Sequence, residues 1–166
     1  MNLQEDILML SGCDMIVGLT DLPEYELGEG LKLKHALAGD TGRILQFVRD
    51  NFDEGWVYEA QHAMMQEPVK CFVVTQDREI LGFACYDSAA KGFFGPIGVA
   101  QKARKKHIGK ALLVRTLQAM RENGYGYAII GWAGEDAIPF YQRTVNAQLI
   151  QNGNPENSIY RDMLIL

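Results

Sequence analysis

The sequence predicts a mixed α/β fold, a central mixed sheet flanked by helices, with an anion-binding loop between a central strand and the following helix. Three observations carry this. Strand-like segments alternate with segments whose apolar residues recur at helical spacing. An apolar strand over 91–99 (KGFFGPIGV) and another over 125–132 (YGYAIIGW) are joined by one amphipathic helix, the connection that parallel neighbours need. Between the first of these strands and that helix lies QKARKKHIGKAL, residues 101–112, with five Lys or Arg, a histidine and a glycine.

The elements follow in order. Leu31, Leu33 and His35 alternate with Lys32 and Lys34 as a first strand. Asp40 can cap a helix whose Ile44, Leu45, Val48 and Phe52 share one face, and a second helix runs from Trp56 to about Met65, stopped before Pro68. VKCFVVT (69–75) and ILGFACY (80–86), separated by four polar residues, read as a hairpin. After the basic loop, Ile108, Ala111, Leu112, Thr116, Leu117 and Met120 mark a helix that ends at Gly124. Asp136 can cap a short helix through Thr144, and two strands, 147–151 and 159–166, close the chain around an Asn/Gly/Pro turn. The first thirty residues are mixed, acidic and broken by Pro23, Gly28 and Gly30; they are expected to be an N-terminal appendage packing on a domain over 31–166.

Composition narrows the function classes. The 166 residues, 48% hydrophobic and 22% charged, fit one domain able to bury a core. A net charge of −5 argues against a general nucleic-acid binder, so the basic loop stands out as a local site for a small anion. Cys13, Cys71 and Cys85 are odd in number, widely spaced and preceded by no secretory leader, and are expected as reduced thiols of a cytoplasmic protein. His35, His62 and His107 form no ligand pattern with them, so no metal is expected. Apolar runs are too short for a membrane span.

A helix start behind a basic loop offers free backbone N–H groups and the positive end of the helix dipole to a phosphate. The run Arg104, Lys105, Lys106, His107, Ile108, Gly109 resembles the pyrophosphate-binding signature of the GNAT superfamily of acyl-CoA-dependent N-acetyltransferases. His107 stands where that signature has its first glycine. The segment 139–143 (PFYQR) is similar to the family's helix near the thiol end of the coenzyme, although Val145, Asn146 and Ala147 replace the usual Gly-Phe pair. The order of elements from about Leu31 to the C-terminus matches the family's fold.

The resemblance implies an enzyme that moves an acetyl group from acetyl-CoA directly to a primary amine of a small molecule, an amino sugar being a lead. Arg104, Lys105, Lys106, His107, Ile108, Gly109 and Lys110 would hold the pyrophosphate, and Ile97, Gly98 and Val99 the pantetheine and thioester oxygen. Tyr141 would be the general acid, since a phenol with a reference pKa of about 10 stays protonated beside a thiol near 8.5. Asp53 and Glu54 fall where the family builds its acceptor pocket, with Trp56 and Trp132 as walls; the general base stays unassigned. A homodimer is compatible with this reading; nucleic acid and membrane are not expected as partners. The rival readings are a non-catalytic acyl-CoA-binding or regulatory module, a nucleotide-phosphate binder, disfavoured because no GxxxxGK[ST] is present, and an enzyme that acetylates proteins.

Overall fold

Alternation along two strands sets the layers. The computed structural model describes residues 11–164. Its elements are β1 (Cys13–Gly18), β2 (Leu31–His35), α1 (Thr41–Asn51), α2 (Glu54–Met64), β3 (Cys71–Gln76), β4 (Glu79–Tyr86), β5 (Phe93–Val99), α3 (Ile108–Glu122), β6 (Tyr127–Ala133), α4 (Ile138–Val145) and β7 (Gln148–Leu149). Phe72 and Val74 of β3 face one side of the sheet, with Ile108, Leu112, Leu117 and Met120 of α3. Cys71 and Val73 face the other, with Ile44 and Val48 of α1 and Val57 and Ala60 of α2. Period-2 alternation with both faces buried is what a sheet between two helical layers requires.

The sheet runs β2-β3-β4-β5-β6-β1-β7. All pairs are antiparallel except β5 with β6, which are parallel and joined by the α3 crossover, as the sequence leads one to expect. That parallel pairing is brief: it holds at Phe93↔Ile129 and Phe94↔Ile130 and then ends. A bulge in β5 is the local cause. Its register against β4 slips between Tyr86↔Phe94 and Ala84↔Ile97, placing an extra residue around Gly95 and Pro96. Gly95 has φ +116°, a conformation L side chains rarely adopt, and Pro96 carries no N–H for a ladder. Beyond Phe94, β5 bends away and the edge of the strand from Gly95 to Val99 that faces β6 is left unpaired.

Two expectations are corrected here. Residues 13–18, read from sequence as part of an appendage, form a strand inside the sheet, paired with β6 on one side and β7 on the other. Met15 and Val17 point inward and are buried, and the boundary at residue 31 is no structural break. The final segment is not a strand. Residues Pro155–Asn157 and Ile159–Asp162 form 3₁₀ turns, tied to β1 by the Ser158–Asp14 hydrogen bond and by the buried Tyr160. Residues 1–10 and 165–166, which carry the rest of those two expectations, lie outside the described residues. The short helix α4 starts at Ile138 with Pro139 in its first turn, and Asp136 does not cap it.

Asp14 ties the two chain ends to β6. Its carboxylate, 7% exposed, accepts the backbone N–H of Trp132 at 2.7 Å and the hydroxyl of Ser158 at 2.5 Å. Trp132 has φ +46°, so this hydrogen bond holds a residue in a left-handed kink. Replacing Asp14 by Ala leaves both donors without their acceptor and should cost about 2–4 kcal/mol; a Tm that moves by less than about 3 °C in thermal unfolding would contradict this role.

Candidate active site

The divergence of β5 and β6 opens the principal cavity, of about 810 Å³. Its length divides into two chemically different ends. At one end α3 begins. The first intrahelical bond runs from the Ala111 N–H to the His107 carbonyl, so the N–H groups of Ile108, Gly109 and Lys110 have no partner in the ladder. Arg104, Lys105, His107, Lys110 and Arg143 line this end, which therefore has the donors and the field an anion needs. His107, at φ 58° and ψ 16°, adopts the left-handed conformation that a glycine would adopt freely, and Lys105 does the same at φ 66°. Lys106 turns away from the main cavity onto a neighbouring groove with Glu26, Glu29 and Gln76. Lys102 is paired with Glu79.

In the middle, the unpaired edge of Gly95–Val99 forms one wall, so Ile97, Gly98 and Val99 all line the cavity. Tyr141 of α4 faces it from below, packed edge-on against Phe94 with ring centroids 6.3 Å apart. The residue is 6% exposed, and burial holds its phenol well above the ordinary tyrosine range. The hydroxyl is therefore protonated throughout neutral pH.

At the other end the walls are aromatic: Phe52, Trp56, Trp132 and Tyr160. Tyr160 is delivered by the last 3₁₀ turn, its ring 5.3 Å from that of Trp132, and its hydroxyl lies so close to Gly131 that a Cβ there would collide with it. Among the described residues Glu59 is the only acidic side chain lining the cavity. It sits one helical turn after Trp56 on α2, so both look the same way. Ser88, in the turn after β4, donates its hydroxyl to the Glu59 carbonyl, and its own carbonyl meets His62 Nδ1 at 2.7 Å, which fixes α2 against the sheet. Burial, reinforced by the negative charge of Asp53, pushes the Glu59 carboxyl up to about 7.

The structure thus brings together Tyr141, Trp56, Trp132, residues 97–99 and most of the basic loop. It does not bring Asp53 and Glu54 into the cavity. Asp53 Oδ1 accepts the Trp56 N–H at 2.9 Å as the cap of α2, and Glu54 is an exposed partner of Arg49 at 3.7 Å. Glu59, the carboxylate that lines the cavity, lies one to two turns further along the same helix. The Trp56/Glu59 spacing was the available signal for it; Tyr160 had none, because its position depends on a turn that periodicity does not mark. No three His, Cys, Asp or Glu side chains converge as a metal site among the described residues, and no helix there is long and apolar enough to cross a membrane.

Residues 40–146 match the model of the Acetyltransferase (GNAT) family. The chain belongs to that family. Its fold follows from this membership; acetyl-CoA is the co-substrate of that family, and the cavity has free N–H groups and cations at one end and an unpaired strand edge beside them. No curated protein matches the sequence. Among solved structures, a GCN5-related N-acetyltransferase from Sphaerobacter thermophilus superposes with a TM-score of 0.67 at 19% identity, covering 89% of this chain and 52% of that one. A glucosamine N-acetyltransferase region of a fungal multi-domain β-N-acetylglucosaminidase gives 0.64 at 16%, covering 84% and 20%. An aminoglycoside acetyltransferase from an uncultured soil metagenomic sample, in complex with trehalose, gives 0.54 at 21%, covering 72% and 90%. The chain spans about half or less of the length of the first two, and these likenesses concern the fold.

A raised carboxyl has a stability consequence whose sign is fixed. Glu59 binds its proton more tightly folded than unfolded, so between about pH 4.5 and 7 the folded state holds the extra proton and stability falls as pH rises. A shift of this size corresponds to about 3 kcal/mol at most, and partial exposure brings the expected cost at pH 8 to about 1–2 kcal/mol. Glu59→Gln should therefore raise the Tm at pH 8 and leave it unchanged near pH 4; equal effects at both pH values would rule out a raised carboxyl.

Proposed function

We propose that this acetyltransferase transfers the acetyl group directly from acetyl-CoA to the primary amine of a small molecule, with Tyr141 supporting the departing sulfur. The observation that carries this is Tyr141: a buried, protonated phenol of α4 that lines the same cavity as Ile97–Val99, the cationic loop and the aromatic residues. Free N–H groups on that edge can hold the amide-bearing arm of the coenzyme as an added strand would be held, and one of them near Ile97–Val99 can accept the charge that develops on the thioester oxygen. The loop 104–110 holds the pyrophosphate through the N–H groups of Ile108, Gly109 and Lys110, and Arg104, Lys105 and Lys110 add charge. His107 contributes its backbone conformation, which aims the loop into the first turn of α3.

The raised phenol sharpens the role of Tyr141. Full proton transfer from a phenol above 10 to a thiolate near 8.5 is uphill, so Tyr141 acts as a hydrogen-bond donor to the sulfur while the C–S bond breaks. The acceptor occupies the aromatic end, and a small molecule fits a recessed cavity of this size better than a protein segment does. The amino-sugar lead and the fungal neighbour make glucosamine one acceptor to test. The three cysteines are free thiols, in keeping with a cytoplasmic setting. The homodimer is compatible with this reading and no step depends on it.

Calorimetric titration with acetyl-CoA, with ATP as control, tests the coenzyme site; saturation by acetyl-CoA alone is expected. Gly109→Asp should keep the fold, because an acidic residue in the first turn of a helix is favourable and a Cβ there meets nothing closer than 3.6 Å. It should weaken acetyl-CoA binding by about 10- to 100-fold through repulsion of the phosphates; unchanged affinity would place the coenzyme elsewhere. Tyr141→Phe should lower turnover by about 10- to 10⁴-fold with little change in coenzyme affinity, and full turnover by this variant would remove the hydroxyl from the reaction.

A further inference from the structure

The acceptor end of the cavity carries more information than its size. Its walls are Phe52, Trp56, Trp132 and Tyr160, and its one acidic group among the described residues is Glu59. The cations that line the cavity belong to the loop and to α4, at the coenzyme end. The indole N–H of Trp132 is engaged by the Ser11 carbonyl at 2.8 Å, so it is not free for a substrate hydroxyl. The Glu59 carboxylate has no hydrogen-bond or ion-pair partner among the described residues, although its helix is fixed by Ser88 and by the Asp53 cap. A group of this kind is poised for a single cation, and aromatic faces suit both an ammonium and a flat apolar body.

We infer that the acceptor is a singly charged primary amine on an apolar, ring-bearing body, and that Glu59 both receives its ammonium group and takes its first proton. This rests on the proposed transfer to an amine. A polycation would leave all but one of its charges against aromatic rings with no carboxylate to meet them, and an amino acid would bring a carboxylate next to Glu59. An amino sugar would place several hydroxyls where few polar side chains can bond to them.

The step balances as follows. The ammonium gives one proton to the Glu59 carboxylate, which passes it to solvent. The freed nitrogen lone pair forms the C–N bond, the C–S bond breaks, and the nitrogen's second proton ends on the departing sulfur, leaving an amide N–H and a free thiol. Several titratable groups face Glu59. Asp53 at the start of α2 raises it, and the Glu59 charge in turn raises the Tyr160 phenol across the cavity. The Cys85 thiol on β4 lies behind, itself held up by burial beside Cys71. His62, further along α2, is bound to the Ser88 carbonyl. No Lys or Arg is among them, and a carboxylate with a pKa near 7 is matched to work as a base at physiological pH.

The test is calorimetric titration of the full chain saturated with coenzyme A, using 2-phenylethylamine, 2-phenylethanol, glucosamine and sisomicin, in wild type and Glu59→Gln. The wild type should bind 2-phenylethylamine at least about tenfold tighter than each of the other three. Glu59→Gln should abolish the preference for amine over alcohol while leaving affinity for 2-phenylethanol and coenzyme A within about threefold. Equal binding of amine and alcohol by wild type, tighter binding of glucosamine or sisomicin, or a preference that survives in Glu59→Gln overturns the assignment. Acetyl transfer to 2-phenylethylamine, followed by thiol release, is read separately. The rate should fall below about pH 7 in wild type, and Glu59→Gln should be slower and lack that limb. Tight binding of the amine without transfer would overturn the amine-acetylation reading and the base role, while the charge-selective site would stand on the binding data.

Discussion

Everything functional in this molecule depends on the parting of two parallel strands. β5 and β6 share a ladder at Phe93↔Ile129 and Phe94↔Ile130 and then separate, leaving backbone donors and acceptors of β5 without a strand partner. Such groups are costly when they are buried unpaired, at about 1–3 kcal/mol each, so a parting of this kind persists only where a cavity or a ligand meets the exposed edge. Two restraints hold it open. On β5, Gly95 and Pro96 build the bulge that turns the strand away. On β6, the departure is secured from the far side, where β1 pairs with it from Gly18↔Tyr127 to Cys13↔Ala133 and Asp14 clamps the kinked Trp132. The N-terminal strand is thus part of the site's architecture although it lies outside the region that matches the family model.

The same parting gives the cavity its polarity. The end nearest α3 inherits cations and free N–H groups from a helix start, while the far end inherits aromatic rings from the α1–α2 junction, α2, β6 and the C-terminal turn, with one carboxylate among the described residues there. An anionic ligand and a cationic one are therefore drawn to opposite ends, and in the proposed reaction they meet at Tyr141. A phenol is suited to that middle position. A charged acid there would be pulled by one end or repelled by the other, whereas a neutral hydroxyl can stay buried against Phe94 and Phe140 and donate only when negative charge appears.

Much of this was legible in the sequence, and the failures have identifiable physical causes. The helices, the hairpin, the α3 crossover and the basic loop were readable because each is set by local periodicity or by a helix terminus. β1 was not, because CDMIVG is short and its partner β6 lies more than a hundred residues away; only the burial of Met15 and Val17 in the folded chain distinguishes it from the acidic segments around it. The C-terminal strand was over-read for the converse reason. Its composition suits a strand, but the Ser158–Asp14 hydrogen bond and the buried Tyr160 ring hold it as 3₁₀ turns, and tertiary context overrode propensity. Asp53 and Glu54 were credible site residues by location in a loop break, yet a carboxylate immediately before a helix is first of all a cap. Glu59 was hidden inside a helix, where an acidic residue reads as ordinary solvated surface, and it is significant only because that face of α2 looks into the parting of the sheet.

His107 departs from the family pattern in residue type and takes the left-handed conformation that a glycine adopts freely. The signature glycine serves a loop that must turn left-handed before a helix, and the left-handed region costs a non-glycine residue about 1–2 kcal/mol. This chain meets the same geometry with a histidine and repeats it at Lys105. Neither residue is β-branched, so the strain stays at the lower end of what a functional loop sustains. Their side chains are then free to project from the turn, and His107 lines both the main cavity and the adjoining groove that Lys106 faces. A glycine would give the backbone conformation at no steric cost but would add no side chain at the junction of these two openings. The strain is localised where α3 begins, and that helix is anchored by Ile108, Leu112, Leu113 and Leu117, all essentially inaccessible to solvent. A deeply buried helix can hold its first turn in place against a modest local penalty, so the cradle depends on the packing of α3 against the sheet more than on the identity of the residue at its entrance.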